Sequence, residues 1–238
     1  MIYGSIPAAG LGSRLQPIGY SKELAVVGEK AVIEYLIERM VNAGINKIFI
    51  TISPEKLDIP RYISTKTPYK NNCVFIVCDS KSLPDNMFDP VRFLKDSDYL
   101  YFGLPDTIWY PKDGFAKLRE IKKRFVFGLF NSKTPSKFDA VSTDRSGRVS
   151  KVEVKVDSPS TKWTWGIGKI RVSEAKKIIA LLPDGNESAR IFGSTTNIYL
   201  KNHSVYAVKL AKSDYLDIGR KEDYHKAQKF IQKHERFS

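Results

Sequence analysis

Apolar positions recur along this chain as short runs separated by polar and glycine-containing breaks. Ile2 to Ile6 is a short apolar run that leads at once into Ala8-Ala9-Gly10-Leu11-Gly12-Ser13. Val32 to Ala43 (VIEYLIERMVNA) has helical spacing and is stopped by Gly44, a favoured C-terminal stop residue. Lys47 to Ile52, bounded by Ser53-Pro54, is β-branched and aromatic and predicts a buried strand. Val74 to Cys78, Tyr99 to Gly103 and Arg124 to Phe130 predict three more.

The pattern changes after about residue 137. Ala140 to Asp144 and Val149 to Val156 flank Arg145-Ser146-Gly147-Arg148, a predicted hairpin turn. Trp163 to Val172 predicts a strand, Ser173 a cap for a helix reaching Leu182, and Val205 to Leu210 a late strand. From Lys221, Tyr224, Ala227, Phe230 and Ile231 fall at helical spacing, so an amphipathic helix is expected. Strands alternating with helices predict an α/β sheet wound in the Rossmann manner. There is no internal repeat or low-complexity linker. The expectation is one domain over 1–238: a first part to about 136, an inserted or appended β-rich substrate part over about 137–220, and a C-terminal helix over 221–238.

Composition narrows the class. Of 238 residues, 42% are hydrophobic and 12% aromatic, which excludes wholesale disorder. No apolar run approaches the roughly 18 residues of a membrane-spanning helix. The start, MIYGSIPAAG, lacks the features of a secretory signal, and Cys73 and Cys78 are too few for a disulfide framework, so a cytoplasmic location is expected. The 39 Lys and Arg against 26 Asp and Glu give +13, a field that favours anionic partners. Nucleic acid is one such partner and phosphorylated small molecules another. Helix-turn-helix, RNP-type and zinc-finger patterns are not apparent, which argues against nucleic-acid binding as the main role.

Candidate chemistry starts at the first turn. Glycines just after a strand let the backbone approach a ligand and aim N–H groups at an anion. Arg14 and Lys22 stand nearby as cations for polyphosphate oxygens. The spacing departs from both the Walker loop and the dinucleotide GxGxxG pattern. Ile6 to Leu15, Ser21-Lys22-Glu23-Leu24 with Ala25 to Gly28, and Val32 to Ile37 together resemble the sugar-1-phosphate nucleotidyltransferases. Gly103-Leu104-Pro105-Asp106-Thr107 is similar to that family's metal-binding segment. Val152 to Lys155 resembles its EKP segment, Trp165-Gly166-Ile167 its sugar-side glycine strand, and Leu216-Asp217-Ile218-Gly219 its late DIG segment. The islands occur in family order over almost the whole chain.

The resemblance implies a Rossmann-like fold of GT-A type with a mixed central sheet, and transfer of a nucleotidyl group from an NTP to a sugar 1-phosphate. It implies NTP binding by Ala8, Ala9, Gly10, Leu11, Gly12 and Ser13, with Leu83 and Asp106 on the nucleotide. Arg14 would steady the leaving pyrophosphate, and Lys22 would lie between the reacting phosphates. Asp106 and Asp217 would hold Mg²⁺. Lys155 would bind the acceptor phosphate, with Asp139, Glu153 and the Gly166 backbone at the acceptor. No membrane partner is implied, and a homo-oligomer stays open.

Each residue also has a plainer reading. Asp106 could cap a helix and Asp217 could serve a turn. Trp163 and Trp165 could be core or a platform for a sugar. Glu153 and Lys155, two apart on a strand, should share a face. The three histidines, His203, His225 and His234, read as surface residues. Four departures from the family pattern bear on selectivity. Ser21 precedes Lys22 where the family has proline, and the region from Val77 to Leu83 lacks the base-reading Gln and its glycine. Asp139 replaces a glycine near the sugar, and Gly193 to Asn197 lacks an expected acidic residue. They leave open a non-sugar acceptor such as phosphocholine or a polyol phosphate, or a weakly catalytic nucleotide-binding regulator.

Overall fold

The computed structural model describes residues 1–10, 20–79, 82–183, 191–219 and 221–234. Its first half contains β1 (Ile2–Pro7), β2 (Val26–Val27), β3 (Lys30–Ala31), α1 (Val32–Asn42), β4 (Ile48–Ile52), α2 (Asp58–Lys66), β5 (Cys73–Val77), α3 (Leu83–Phe88), β6 (Tyr99–Gly103), β7 (Thr107–Tyr110) and α4 (Gly114–Glu120). The second contains β8 (Phe125–Asn131), β9 (Asp139–Thr143), β10 (Val149–Val154), β11 (Trp163–Arg171), α5 (Val172–Ala180), α6 (Phe192–Leu200), β12 (Tyr206–Lys209), β13 (Asp214–Asp217) and α7 (Lys221–His234).

Nine strands form one mixed sheet in the order β10-β9-β11-β6-β1-β4-β5, with β8 joined to β11 and β12 to β8. β1 is parallel to β4 and β6, and β11 is antiparallel to β6. Strand alternation sorts the core onto two faces. Tyr101, Val126 and Phe130 join α1, α2 and α4 on one side, while Leu100, Phe102, Phe125, Phe127 and Leu129 join α3, α5 and α6 on the other. Helices thus cover both faces, as a largely buried sheet requires. Ile108 and Ile218 form a third cluster with Ala227 and Phe230 of α7.

From β1 the chain passes outward to β4 and β5, then returns to place β6 on the other side of β1. The carboxyl ends of β1 and β6 therefore flank the point where the strand order reverses. That is where an open α/β sheet leaves a crevice for a ligand.

Two local expectations are corrected. Ser173 does not cap α5: the N-cap is Arg171, and the carbonyls of Asp98 and Asp96 accept from the N–H groups of Val172 and Ser173 at 2.9 and 3.3 Å. Neighbouring backbone satisfies those donors, so no side-chain cap is needed. His203 and His234 are half-buried rather than surface residues. The His203 ring stacks on Tyr199 at 4.5 Å; His234 stacks on Tyr110 at 4.5 Å and lies 3.2 Å from a carboxylate oxygen of Asp214. The hairpin turn falls as expected, with Gly147 at φ +80° and Asp144 Oδ1 accepting from the Ser146 and Arg148 N–H groups.

Candidate active site

A cleft of about 550 Å³ opens at the strand reversal. One wall comes from the first half of the chain: Pro7 and Gly10 after β1, Lys22 and Glu23, Leu83 and Asn86 on α3, and Leu104 to Thr107 after β6. The facing wall comes from Lys137 to Asp139, Val154, Lys155, Trp165, Ile191, Phe192, Tyr215 and Asp217.

Ala8 and Ala9 are buried at the end of β1, and Ala8 N donates to Thr51 O at 2.7 Å. Gly10 is exposed to the cleft, with open space where a side chain would project. Leu11, Gly12, Ser13 and Arg14 lie outside the described residues.

Lys22 and Glu23 share a short 3-10 turn, Lys22–Leu24, held from below. Asp58 on α2 accepts from Ser21 N at 2.7 Å and from Ser21 Oγ at 2.6 Å. The Lys22 ammonium donates to the Asp106 carboxylate. Burial pulls the Lys22 pKa down, but the charges of Asp106, Glu23 and Asp217 outweigh it and leave it above the ordinary lysine value. Lys22 is therefore a firmly charged cation at the carboxyl ends of the strands.

Asp106 caps no helix: it links β6 to β7, and its carbonyl accepts from Ile218 N at 2.8 Å. Asp217 ends β13, which pairs with β7 through Asp217 and Thr107. This small antiparallel ladder carries the two carboxylates from distant sequence into one cleft. They suit Mg²⁺, a hard ion commonly held by one or two carboxylates together with phosphate oxygens and water. Among the described residues no group of three or more His, Cys, Asp or Glu could hold a metal.

On the facing wall, Glu153 and Lys155 diverge. β10 ends at Val154, and Lys155 has φ +47°, which breaks strand alternation. Lys155 lines the cleft beside Val154, whereas Glu153 does not and accepts from Ser160 N at 3.0 Å and from Ser160 Oγ. Gly166 lies beneath the wall at a register shift in β11: a side chain there would run into Tyr215 and meet Phe130 at 2.9 Å. Trp165 is both core and cleft lining, with its Nε1 donating to Asp139 Oδ2 at 3.4 Å. Trp163 does not line the cleft; the Lys209 ammonium sits 5.5 Å from its ring centre. Burial pushes the Asp139 carboxyl above its ordinary value, against the Trp165 hydrogen bond and the Lys155 charge.

Several lining residues were not anticipated. Asn86, Phe192 and Tyr215 sit on α3, α6 and β13, elements absent from the sequence-based expectations. Ser82-Leu83-Pro84 was a usable signal, an N-cap followed by proline in the first turn, and α3 does start there. Within the region that lacks the base-reading Gln, Asp79 is exposed and is not among the residues lining the cleft, whereas Leu83 and Asn86 line it. In the segment lacking the acidic residue, Asn197 instead clamps α6 to β10, donating to Val152 O at 2.7 Å and accepting from Val152 N at 2.9 Å.

A mixed sheet covered on both faces, with a cleft at the strand reversal, is a GT-A-like fold. The nucleotidyl transferase family pattern matches residues 4–234, and the chain belongs to that family. The resemblance to sugar-1-phosphate nucleotidyltransferases is borne out. A glucose-1-phosphate thymidylyltransferase of Neisseria gonorrhoeae is 25% identical over 242 residues, 96% of this chain and 82% of the relative. A low-salt glycan biosynthesis nucleotidyltransferase of Haloferax volcanii is 28% identical over 166 residues, 66% of this chain and 46% of the relative. The fold superposes on a Bacillus anthracis protein assigned as a glucose-1-phosphate thymidylyltransferase with TM-score 0.84 at 19% identity, covering 98% and 96% of the two chains. For a UDP-glucose pyrophosphorylase from Acinetobacter baumanii the TM-score is 0.78 at 17% identity, covering 97% and 93%. Among the described residues no helix is long and apolar enough to cross a membrane.

Proposed function

We propose that this chain transfers a nucleotidyl group from an NTP to a sugar 1-phosphate, giving an NDP-sugar and pyrophosphate. The observation that carries the reading is the convergence on one cleft of Lys22 and Asp106 from one wall and Asp217 and Lys155 from the facing wall. A phosphate oxygen of the acceptor attacks the α-phosphorus of the NTP, and the bond from that phosphorus to the β-phosphate bridging oxygen breaks. Two polyanions must be brought together, so alignment and charge neutralisation dominate.

In this reading the backbone at Ala8, Ala9 and Gly10 receives the triphosphate, and Leu83 and Asn86 border the nucleoside. Lys22 exchanges part of its contact with Asp106 for phosphate oxygens, and its charge counts most as the phosphates converge. Lys155 holds the acceptor phosphate, and Asp139 borders the rest of the acceptor. Asp106 and Asp217 would hold Mg²⁺, which supplies charge neutralisation on the phosphates when bound. The backbone roles of Leu11 to Ser13 and the role of Arg14 at the pyrophosphate belong to the same proposal.

A carboxylate on the acceptor wall favours a second reading, a non-sugar phosphate acceptor. Both readings are tested by pyrophosphate release in Mg²⁺ with each NTP against glucose 1-phosphate, other sugar 1-phosphates, phosphocholine and a polyol phosphate. Turnover is expected with at least one sugar 1-phosphate. Turnover with none of the acceptors would leave a nucleotide-binding regulator and overturn the assignment.

A further inference from the structure

We propose that the Asn86 side-chain amide selects the nucleobase by donating to an exocyclic carbonyl oxygen, and that Cys78 holds the amide in that orientation, an inference that rests on the reading of the cleft as a nucleotidyltransferase site. Cys78 directly follows β5, and its N–H donates to Ile52 O at 3.0 Å, which continues the β4–β5 pairing. Asn86 lies on α3, which is fixed to β1 by Ser5 Oγ donating to Met87 O at 2.7 Å. Between these two anchored segments the Cys78 thiol donates to Asn86 Oδ1 at 3.1 Å. Asn86 is only 2% exposed, and it lines the cleft. Its Nδ2 makes no hydrogen bond among the described residues and is not one of their sealed partnerless atoms, so its open side is the cleft. The protein thus engages the acceptor oxygen of the amide and leaves the donor for a ligand.

The wall around Asn86 suits a base rather than a phosphate. Leu83 stands one helical turn before Asn86, so the two share a face of α3. Leu83 is 36% exposed and lines the cleft, with Pro7 on the same wall. Lys22 and Asp106, the charged groups assigned to the phosphates, come from other segments of that wall. An apolar surface beside one directed amide donor complements a planar ring with a polar edge. Such a donor sorts the bases. Uracil and thymine O4 and guanine O6 accept from it, whereas cytosine and adenine carry an amino group at the corresponding place and set two donors against each other. A buried donor left in that position bears its full desolvation penalty.

The test is nucleotide binding to the full chain in Mg²⁺ by calorimetry, which needs no acceptor. UTP should bind more tightly than CTP, or GTP more tightly than ATP, by about tenfold and by no less than about threefold. Asn86→Asp keeps the shape, replaces the donor by an acceptor and should reverse that preference. Asn86→Ala should abolish it, and serves where a buried Asp prevents folding; circular dichroism checks both variants. Cys78→Ala should reduce the preference by about threefold or more, while Cys78→Ser, which still carries a donor, should retain it. A thiol that only fills space would not separate those two variants. Ratios below about threefold in both pairs, or a preference for CTP or ATP, overturn the inference while the nucleotidyltransferase reading stands. So does a preference unchanged in the folded Asn86 variants, and one unchanged in Cys78→Ala removes the positioning role. Binding with the expected preference but no pyrophosphate release with any acceptor overturns the activity reading alone. No binding of any NTP overturns both.

Discussion

Lys56 clasps both carboxylate oxygens of Glu23, at 2.8 and 2.9 Å, and donates a third bond to Ala8 O at 2.9 Å. Both side chains are buried, at 5% and 1% exposure for the two residues. Burial still raises the Glu23 pKa, against the charges of Lys56 and Lys22. One cation thereby ties the end of β1 to the turn that carries Lys22. Removing one partner of such a pair strands a buried charge. Lys56→Met should therefore lower unfolding stability by about 3–5 kcal/mol, and Glu23→Leu with Lys56→Met by much less. Urea unfolding measures both, and a single-variant loss below about 1 kcal/mol would show that the pair is not holding the turn.

The paired carboxylates lead to a second expectation. Asp106→Ala and Asp217→Ala should each reduce turnover by about a hundredfold or more, as for loss of a metal ligand or a key electrostatic group. Their near-ultraviolet spectra should stay native. Turnover like that of the wild type in both variants would remove the proposed two-carboxylate Mg²⁺ site.

For Lys22 the informative quantity is the division between kcat and KM. Lys22→Ala should lower kcat more than it raises KM for NTP, because the charge acts most strongly as the phosphates converge. Steady-state kinetics decides this, and an unchanged kcat with raised KM would reassign Lys22 to ground-state binding.

Gly166 offers a test of packing. A methyl group there would displace Tyr215 or Phe130, so Gly166→Ala should destabilise by about 1–3 kcal/mol. Because Tyr215 lines the cleft, KM for the acceptor should rise as well. Thermal unfolding and acceptor kinetics together check this; a fully stable variant would show that the ring moves aside freely.

Burial pulls the Lys169 pKa down to about 8, and the residue is only 4% exposed. Between pH 8 and the ordinary lysine value of 10.5, the unfolded chain holds a proton that the folded chain has released. This group therefore adds stability as pH rises through that window, and its contribution is lost below it. Lys169→Met should remove that pH dependence. Urea midpoints for both proteins at about pH 7.5, just below the window, and at about pH 9.5, inside it, measure the difference; an equal change with pH in the two proteins would contradict it.

Much of the strand framework was legible because each core strand carries its own apolar run. Tyr99–Gly103 falls where expected, and β1, β4, β5 and β8 begin or end within a residue of expectation. α1 also announces itself, through its spacing and Gly44 at φ +78°. α2, α3, α4, α6, β2, β3, β7 and β13 were missed. α6 reads FGSTTNIYL, with small and β-prone residues and little one-sidedness, so only packing against β10 and α5 makes it helical. β7 and β13 are four residues each and about a hundred apart in sequence, and neither reveals its partner.

Local order in the sequence determined which segments become the core strands, that Gly10 follows β1, and which family motifs stand in line. Those properties depend on neighbouring residues, whose spacing is read directly. Tertiary structure alone decided that Lys22 meets Asp106 and that Lys155 turns into the cleft while Glu153 turns to Ser160. It alone left Asp139 Oδ1 buried without a donor among the described residues. Each of these depends on contacts between remote segments, or on one residue's φ, and no local pattern encodes which remote surfaces will close around a side chain.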